Sequence, residues 1–253
     1  DYYYDEDYTN DAMGYQGITV SDTILVHEGT YEVTNLAPYY DYLNKTTIIV
    51  SQNGPSSTFL IPAENGGGIG STSASWDFQG FTISGMDLFV YSGFMVFNNC
   101  ILQEIADFSD ASCPEYCFGF NKTTFVDNIS GSMQGYDLTS FYIKNSIIIN
   151  SFLDNSGEPD IDNSGLISYT LNDLGLSENG NINTETPLFC DPENGDYSLA
   201  ENSLAVGAGE SGVNMGALGV GCDAIILADP CELGVVYVSE AHTSGDPEDY
   251  IEI

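Results

Sequence analysis

The chain contains no arginine, and its only cationic side chains are Lys45, Lys122 and Lys144. Against them stand 38 Asp and Glu, for a formal charge of −35 at pH 7. Neutralising nucleic-acid phosphates, or docking directly on an anionic membrane, takes a cluster of Lys and Arg, so neither partner is expected. Lyase chemistry on acidic polysaccharides is likewise short of a cation to hold the uronate. Histidine is nearly as scarce. His27 and His242 lie far apart in sequence, and no Gly-x-Ser-x-Gly elbow occurs, so both are expected to be structural or solvated. No apolar run reaches 18 residues, so no membrane-spanning helix is expected. No signal-peptide pattern is present, and Asp1 is expected to be either a terminus left after signal removal or simply the first ordered residue. Helical periodicity is missing too: no i, i+3, i+4, i+7 apolar stripe of useful length occurs.

What is present is strand-and-turn composition. Hydrophobic residues make up 42%, enough for a core in spite of the charge, which sets the chain apart from disordered acidic polymers. Ile, Val, Phe, Tyr and Leu are joined by 27 Gly and many Asn, Ser and Thr. Short apolar runs at 23–26, 46–50, 57–61 and 81–83 are strand-sized. The length of 253 residues allows one elongated domain, or one plus a fragment of another.

A weak repeat then emerges. FMVFNNCIL begins at Phe94, FGFNKTTFV at Phe118 and FYIKNSIIIN at Phe141, with SWDFQGFTI from Ser75 as a degenerate earlier copy. A period in the low twenties with strands and no helix predicts a solenoid, in which each coil lays a strand beside the last about 4.8 Å away. Asn98, Asn121 and Asn145 are expected to recur at one corner and hydrogen-bond along a ladder. An antiparallel sandwich with coincidental spacing is the competing fold.

The segments SDTILVHEGTYEVTNL (21–36), TTIIVSQNGPSSTFLIPA (46–63) and FQGFTISG (78–85) resemble the first coils of right-handed parallel β-helix domains of the pectate-lyase-like kind found in prokaryotic surface and secreted proteins. TPLFCDPENGDYSLAENSLAVGAGESGVNMGALGVGC (186–222) resembles the terminal segment of such domains, with Leu204 where Pro is common and Cys190 where Val is common. This resemblance implies a fold and is nearly silent on function. Further on, VVYVSE (235–240) and DYIEI (249–253) look like the first two strands of a lamin-tail-type immunoglobulin-like domain. Two strands do not make a sandwich, so the parent chain is expected to continue, or these strands to be donated to another subunit.

The predicted organisation is therefore all-β: an acidic Tyr-rich arm (1–16), a right-handed parallel β-helix of about six to eight coils (17–222), a linker (223–234), and the strands of a second β domain (235–253). Tyr2, Tyr3, Tyr4 and Tyr8 of the arm, with Val235, Val236, Tyr237, Val238, Tyr250 and Ile251, are the expected assembly residues, since Tyr is an interface residue.

Six cysteines are present. Local spacing suggests Cys113–Cys117, within CPEYC, and Cys222–Cys231, leaving Cys100 and Cys190 as a third pair; fifteen connectivities are open. A metal site at Cys113 and Cys117 is the weaker alternative, with no His nearby. Disulfides imply an oxidising compartment, and with it an extracellular or cell-surface location.

Among the acids, Asp154, Glu158, Asp160 and Asp162 interleave with Asn and Gly as oxygen-ligand loops do, and Asp191, Glu193 and Asp196 are a second candidate for calcium; no cofactor is required. The pair Asp107/Asp110 and these same clusters also raise glycoside hydrolysis, which needs two carboxylates flanking a sugar, but no cluster carries His and basic partners. Asn44, Asn121 and Asn128 open N-glycosylation sequons. Asn121 is also a ladder residue, and a stacked Asn cannot carry a glycan.

The function expected from all this is a non-catalytic extracellular structural or adhesive protein, a subunit of a filament or surface layer, with itself, other surface proteins or glycans as partners. A polysaccharide hydrolase using Asp pairs is the alternative, as is a module gripping glycans with exposed Tyr and Trp76.

Overall fold

The computed structural model describes residues 23–36, 46–64, 66–72, 75–105, 107–110, 118–127, 141–151 and 167–227. They form a parallel β-solenoid of about six turns, followed by a small sheet at its C-terminal end. Coil one contains β1 (Thr23–Val26), β2 (Gly29–Val33) and β3 (Asn35–Leu36). Coil two contains β4 (Thr46–Ser51), β5 (Thr58–Pro62) and β6 (Gly68–Thr72). Coil three contains β7 (Ser75–Gln79), β8 (Thr82–Ser84) and β9 (Asp87–Ser92), and coil four β10 (Met95–Asn98), β11 (Ile101–Gln103) and β12 (Asp107–Asp110). Next come β13 (Phe118–Asn121) with β14 (Thr124–Val126), β15 (Phe141–Lys144) with β16 (Ile147–Ile149), and β17 (Ile167–Ser168) with β18 (Leu171–Asn172). β19 (Ile182–Asn183) closes the stack, and β20 (Phe189–Asp191), β21 (Asp196–Ala200) and β22 (Val220–Cys222) form the small sheet.

Strands of equal rank stack into three parallel sheets. Sheet A orders β1-β4-β7-β10-β13-β15-β17, sheet B runs from β2 through β5, β8, β11, β14, β16 and β18 to β19, and sheet C orders β3-β6-β9-β12. The short strands anticipated from composition are thus present and pair in parallel, which excludes the antiparallel sandwich. The repeat is shifted by one residue from its sequence reading. Met95 pairs with Phe118, and Phe118 with Phe141, a step of 23 residues each time. Phe94 therefore stands outside the row; it is 39% exposed, whereas Met95 is wholly buried.

Alternation along each strand sends one row inward. Phe78, Phe97 and Phe120 stack up the axis with ring centroids 5.4 Å apart at both steps and planes 10° apart. Phe108 packs edge-on to Phe118 and Phe120. Leu102, Phe125 and Ile148 of sheet B and Ile69 and Leu88 of sheet C complete one cylindrical core.

The corner between sheets A and B repeats a device that composition alone does not advertise. Gly80, Asn99, Lys122, Asn145 and Tyr169 all adopt left-handed backbone there, with φ between 49° and 79°. Phe81 follows Gly80, but at the other four corners the next residue turns a small polar side chain inward and bonds the carbonyl two residues back: Cys100 to Asn98, Thr123 to Asn121, Ser146 to Lys144, Thr170 to Ser168. Each of these carbonyls also accepts a coil-to-coil N–H, from Gly80, Asn99, Lys122 and Asn145 respectively, so the buried hydroxyl or thiol occupies a second lone pair at the turn.

At the C-terminal end Asn172 takes the register position opposite Ile148. Its amide donates to the carbonyls of Thr170, Leu176 and Ile182, and its oxygen accepts from the N–H groups of Leu174 and Leu176. That network holds Leu174 and Leu176 against the open end of the core. Residues beyond 186 then cover the outer face of sheet B. Ile101, Val126, Ile147 and Leu171 meet Phe189, Tyr197, Leu199, Ala205 and Met215 in a second apolar cluster. Gly216 is required here: its φ is +87°, and a Cβ would lie 2.7 Å from Ile147 Cδ1.

The small sheet corrects the cysteine pairing. Cys190 is bonded to Cys222, with Cα atoms 5.8 Å apart, so Cys222 is not available to Cys231. Cys100 is a buried free thiol on the solenoid corner and does not pair with Cys190. Sequence spacing favoured the nearer partner, whereas the β20–β21–β22 sheet brings the distant one alongside. Cys113, Cys117 and Cys231 lie outside the described residues.

Candidate functional site

The outer face of sheet A gathers the polar side chains that repeat from coil to coil. Asn98 opposes Asn121 and Gln79 in register, while Lys144 rather than Asn145 opposes Asn121. Asn145 sits one residue further, on the left-handed corner. Its side chain still completes the ladder. Glu210 N–H donates to Asn145 Oδ1 (2.7 Å), Asn145 Nδ2 to Asn121 Oδ1 (3.1 Å), Asn121 Nδ2 to Asn98 Oδ1 (3.3 Å), and Asn98 Nδ2 to Asp77 Oδ1 (2.8 Å). Gln79 donates to the other oxygen of Asp77 at 2.9 Å. Every link points the same way. A backbone donor starts the chain and an acceptor-only carboxylate ends it, an arrangement in which successive bonds polarise one another.

Beside the ladder, Asp77, Val96, Gly119 and Tyr142 form the neighbouring row on the same face. Gly119 is a strand-interior glycine without left-handed backbone, so its reason is close approach. A Cβ there would collide with the end of the Tyr142 ring, which lies across the strand. Tyr142 remains 36% exposed. Burial pushes its phenol above the ordinary tyrosine range, the Asp77 carboxylate adds to that, and Lys144 opposes it. Lys144 Nζ is paired with Glu210 Oε2 at 2.6 Å, so this cation is neutralised within the protein.

A second polar patch occupies the corner after sheet B, where Glu104, Asp127 and Asn150 share left-handed backbone. Asn150 Nδ2 donates to Asp127 Oδ1 (2.9 Å), and Asn150 N–H donates to Asp173 Oδ2 (2.6 Å). Asp173 Oδ1 is buried with no hydrogen-bond partner. Burial pushes the Asp173 carboxyl up; the bonds from Asn150 N–H and its own N–H oppose this, and Glu185 reinforces it.

The expected site residues fare unequally. Asp154, Glu158, Asp160, Asp162, Asn44, Asn128 and all ten assembly residues lie outside the described residues. Asp191 and Asp196 spend their carboxylates on local turns, accepting from Asn194 and from Ser198 respectively. Among the described residues no three or more His, Cys, Asp or Glu converge as a metal site, so Asp191, Glu193 and Asp196 are not brought together as one. Asn121 stands in the ladder, its Nδ2 donating to Asn98 Oδ1, and the sequon hydroxyl of Thr123 is fully buried on the carbonyls of Phe97 and Asn121, so both residues serve the fold. Trp76 is corrected as an exposed sugar platform, since it is buried with Nε1 donating to the Gly70 carbonyl. Tyr142 on its glycine seat was missed; the signal available was a lone Gly in FGF one coil before FYI. No protein-family model matches this chain, and no curated protein matches it.

Proposed function

We propose that this chain is a rigid, non-catalytic structural or adhesive module of an extracellular surface, and that it associates through its ends. The observation that supports this most is the N-terminal end of the stack, where β1 has no outer neighbour among the described residues and Ile24 is 41% and Leu25 56% exposed. At the other end β17 is the last strand of sheet A, and the Asn172 network seats Leu174 and Leu176 against the core. An apolar open strand edge is a template for another strand. The Cys190–Cys222 disulfide is compatible with an oxidising environment.

Association is tested by light scattering on concentrated protein, in calcium and again after chelation. Masses above one chain are expected. A monodisperse monomer in both conditions removes end-to-end assembly. Polysaccharide hydrolysis is the competing class. Turnover of a polysaccharide that is lost on Asp154→Asn, Asp160→Asn or Asp162→Asn would replace the structural reading with a hydrolase.

A further inference from the structure

We propose that the Asn179–Gly180 turn is a self-modification site, where water converts the Asn179 amide to aspartate and isoaspartate and the turn that holds β17 loosens in consequence. This goes beyond the structural role proposed above and does not depend on it.

The sequence holds four Asn-Gly pairs, at 53–54, 65–66, 179–180 and 194–195. Such pairs are prone to this reaction because glycine has no side chain to shield its nitrogen or restrict its backbone. Water is the only co-reactant. The Gly180 nitrogen attacks Asn179 Cγ and gives up its proton. The N–Cγ bond forms, the Cγ–Nδ2 bond breaks, and the amide nitrogen leaves with that proton as ammonia. Water then opens the five-membered imide. Breaking the new N–Cγ bond gives aspartate; breaking the original peptide C–N bond gives isoaspartate, with the chain rerouted through Cγ.

The fold selects among the pairs by what it does with the two reacting groups. Asn53 Nδ2 donates to Glu28 Oε2 and Gly54 N–H to Ser51 Oγ, both at 2.9 Å. Asn194 Nδ2 donates to Asp191 Oδ2 at 2.8 Å and Gly195 N–H to the Pro192 carbonyl at 3.1 Å. Asn65 lies outside the described residues. Asn179 and Gly180 are both exposed, and among the described residues neither the Asn179 amide nor the Gly180 N–H has a hydrogen-bond partner. Both residues are left-handed, with φ of 56° and 78°. That geometry turns the Gly180 nitrogen away from the Asn179 side chain, so attack needs a rotation about the Asn179 Cα–C bond. The rotation gives up the bonds from Tyr169 N–H to the Asn179 carbonyl and from Asn181 N–H to the Glu178 carbonyl. At the other two pairs the bonds on the reacting groups themselves must break.

The product matters to the fold because isoaspartate adds a methylene to the backbone. Gly180 sits against Tyr169, where even a Cβ would lie 2.7 Å from the ring. Asn181, the next residue, holds the end of β17: its amide donates to the Ile167 carbonyl (2.9 Å) and its oxygen accepts from Thr170 N–H (3.0 Å). A shifted Asn181 leaves those two backbone groups unpaired.

The test holds the folded full chain in mildly alkaline buffer, digests it in acid, and follows each pair by mass spectrometry that separates aspartyl from isoaspartyl peptides. Conversion at Asn179 is expected at least about fivefold faster than at Asn53 or Asn194, the difference made by one or two hydrogen bonds on the reacting groups. In denaturant that gap should close. Equal rates in the folded chain, or the same gap in denaturant, overturns the inference, because the fold would then not select the site. Asn179→Gly keeps a residue at home in left-handed backbone and removes the amide. It should fold like the parent, show no conversion at 179, and keep its melting temperature through an incubation in which the parent's falls. A parent fully converted to isoaspartate at 179 that melts unchanged overturns the claimed loosening of β17.

Discussion

Two side chains in this fold are held in states that water would not favour. Cys100 is buried on the corner with its Sγ against the carbonyls of Phe78 and Asn98, and burial pushes its thiol up to about 12. Only the thiolate reacts readily. Cys100 should therefore resist alkylation at pH 8 in the native protein and react at once in denaturant. Rapid native labelling of Cys100, located by mass spectrometry, would contradict its placement. Asp173 is the second. Its folded carboxyl titrates above the ordinary aspartate range because of burial. Such a group favours the fold while protonated, and that contribution is lost as pH rises through the raised value. At neutral pH the buried, unpartnered oxygen is a liability. Asp173→Asn should stabilise the protein at pH 7 by up to about 1 kcal/mol, and the gain should vanish in acid. Equal melting shifts at both pH values would contradict the assignment.

At the scale of elements, the sequence disclosed the strands and the period better than the corners and the closures. Inward rows such as Phe78, Phe97 and Phe120 are large apolar residues in short runs, and their spacing reports the coil. The one-residue slip at Asn145 was hidden because Asn is equally suited to the strand end, as at Asn121, and to the left-handed position after it. The same corner chemistry explains the Asn121 sequon: an Asn for the ladder followed two residues later by a buried hydroxyl spells Asn-x-Thr for structural reasons. The Cys190–Cys222 pairing depends on how residues beyond 186 fold over sheet B, which no local spacing encodes. Two variants probe these elements. Asn121→Asp replaces a donor with a second acceptor facing Asn98, and should cost roughly 1–3 kcal/mol in denaturant unfolding at neutral pH; no loss would mean that the ladder does not bear on stability. Reducing the disulfide, or Cys190→Ser with Cys222→Ser, releases a closure spanning 32 residues and should cost about 2–4 kcal/mol. Hydrogen exchange should rise first in 187–222 while the Phe stack stays protected. Simultaneous loss of both would mean that the cover and the solenoid unfold as one unit.

Across the whole molecule, a continuous apolar axis holds the coils together while a charge of −35 pushes copies of the chain apart. At one end the Asn172 network seats Leu174 and Leu176 against the core, and at the other β1 has no outer neighbour among the described residues. Residues 223–227 follow the small sheet, where Asn202 grips Ile225 through both its N–H and its carbonyl. The surface role proposed for such a module depends on its joining others at its ends. The most direct measurement is negative-stain electron microscopy of native, unfractionated material, with calcium and after chelation. The account predicts regular fibres or layers built from short rods. Isolated rods in both conditions would contradict it.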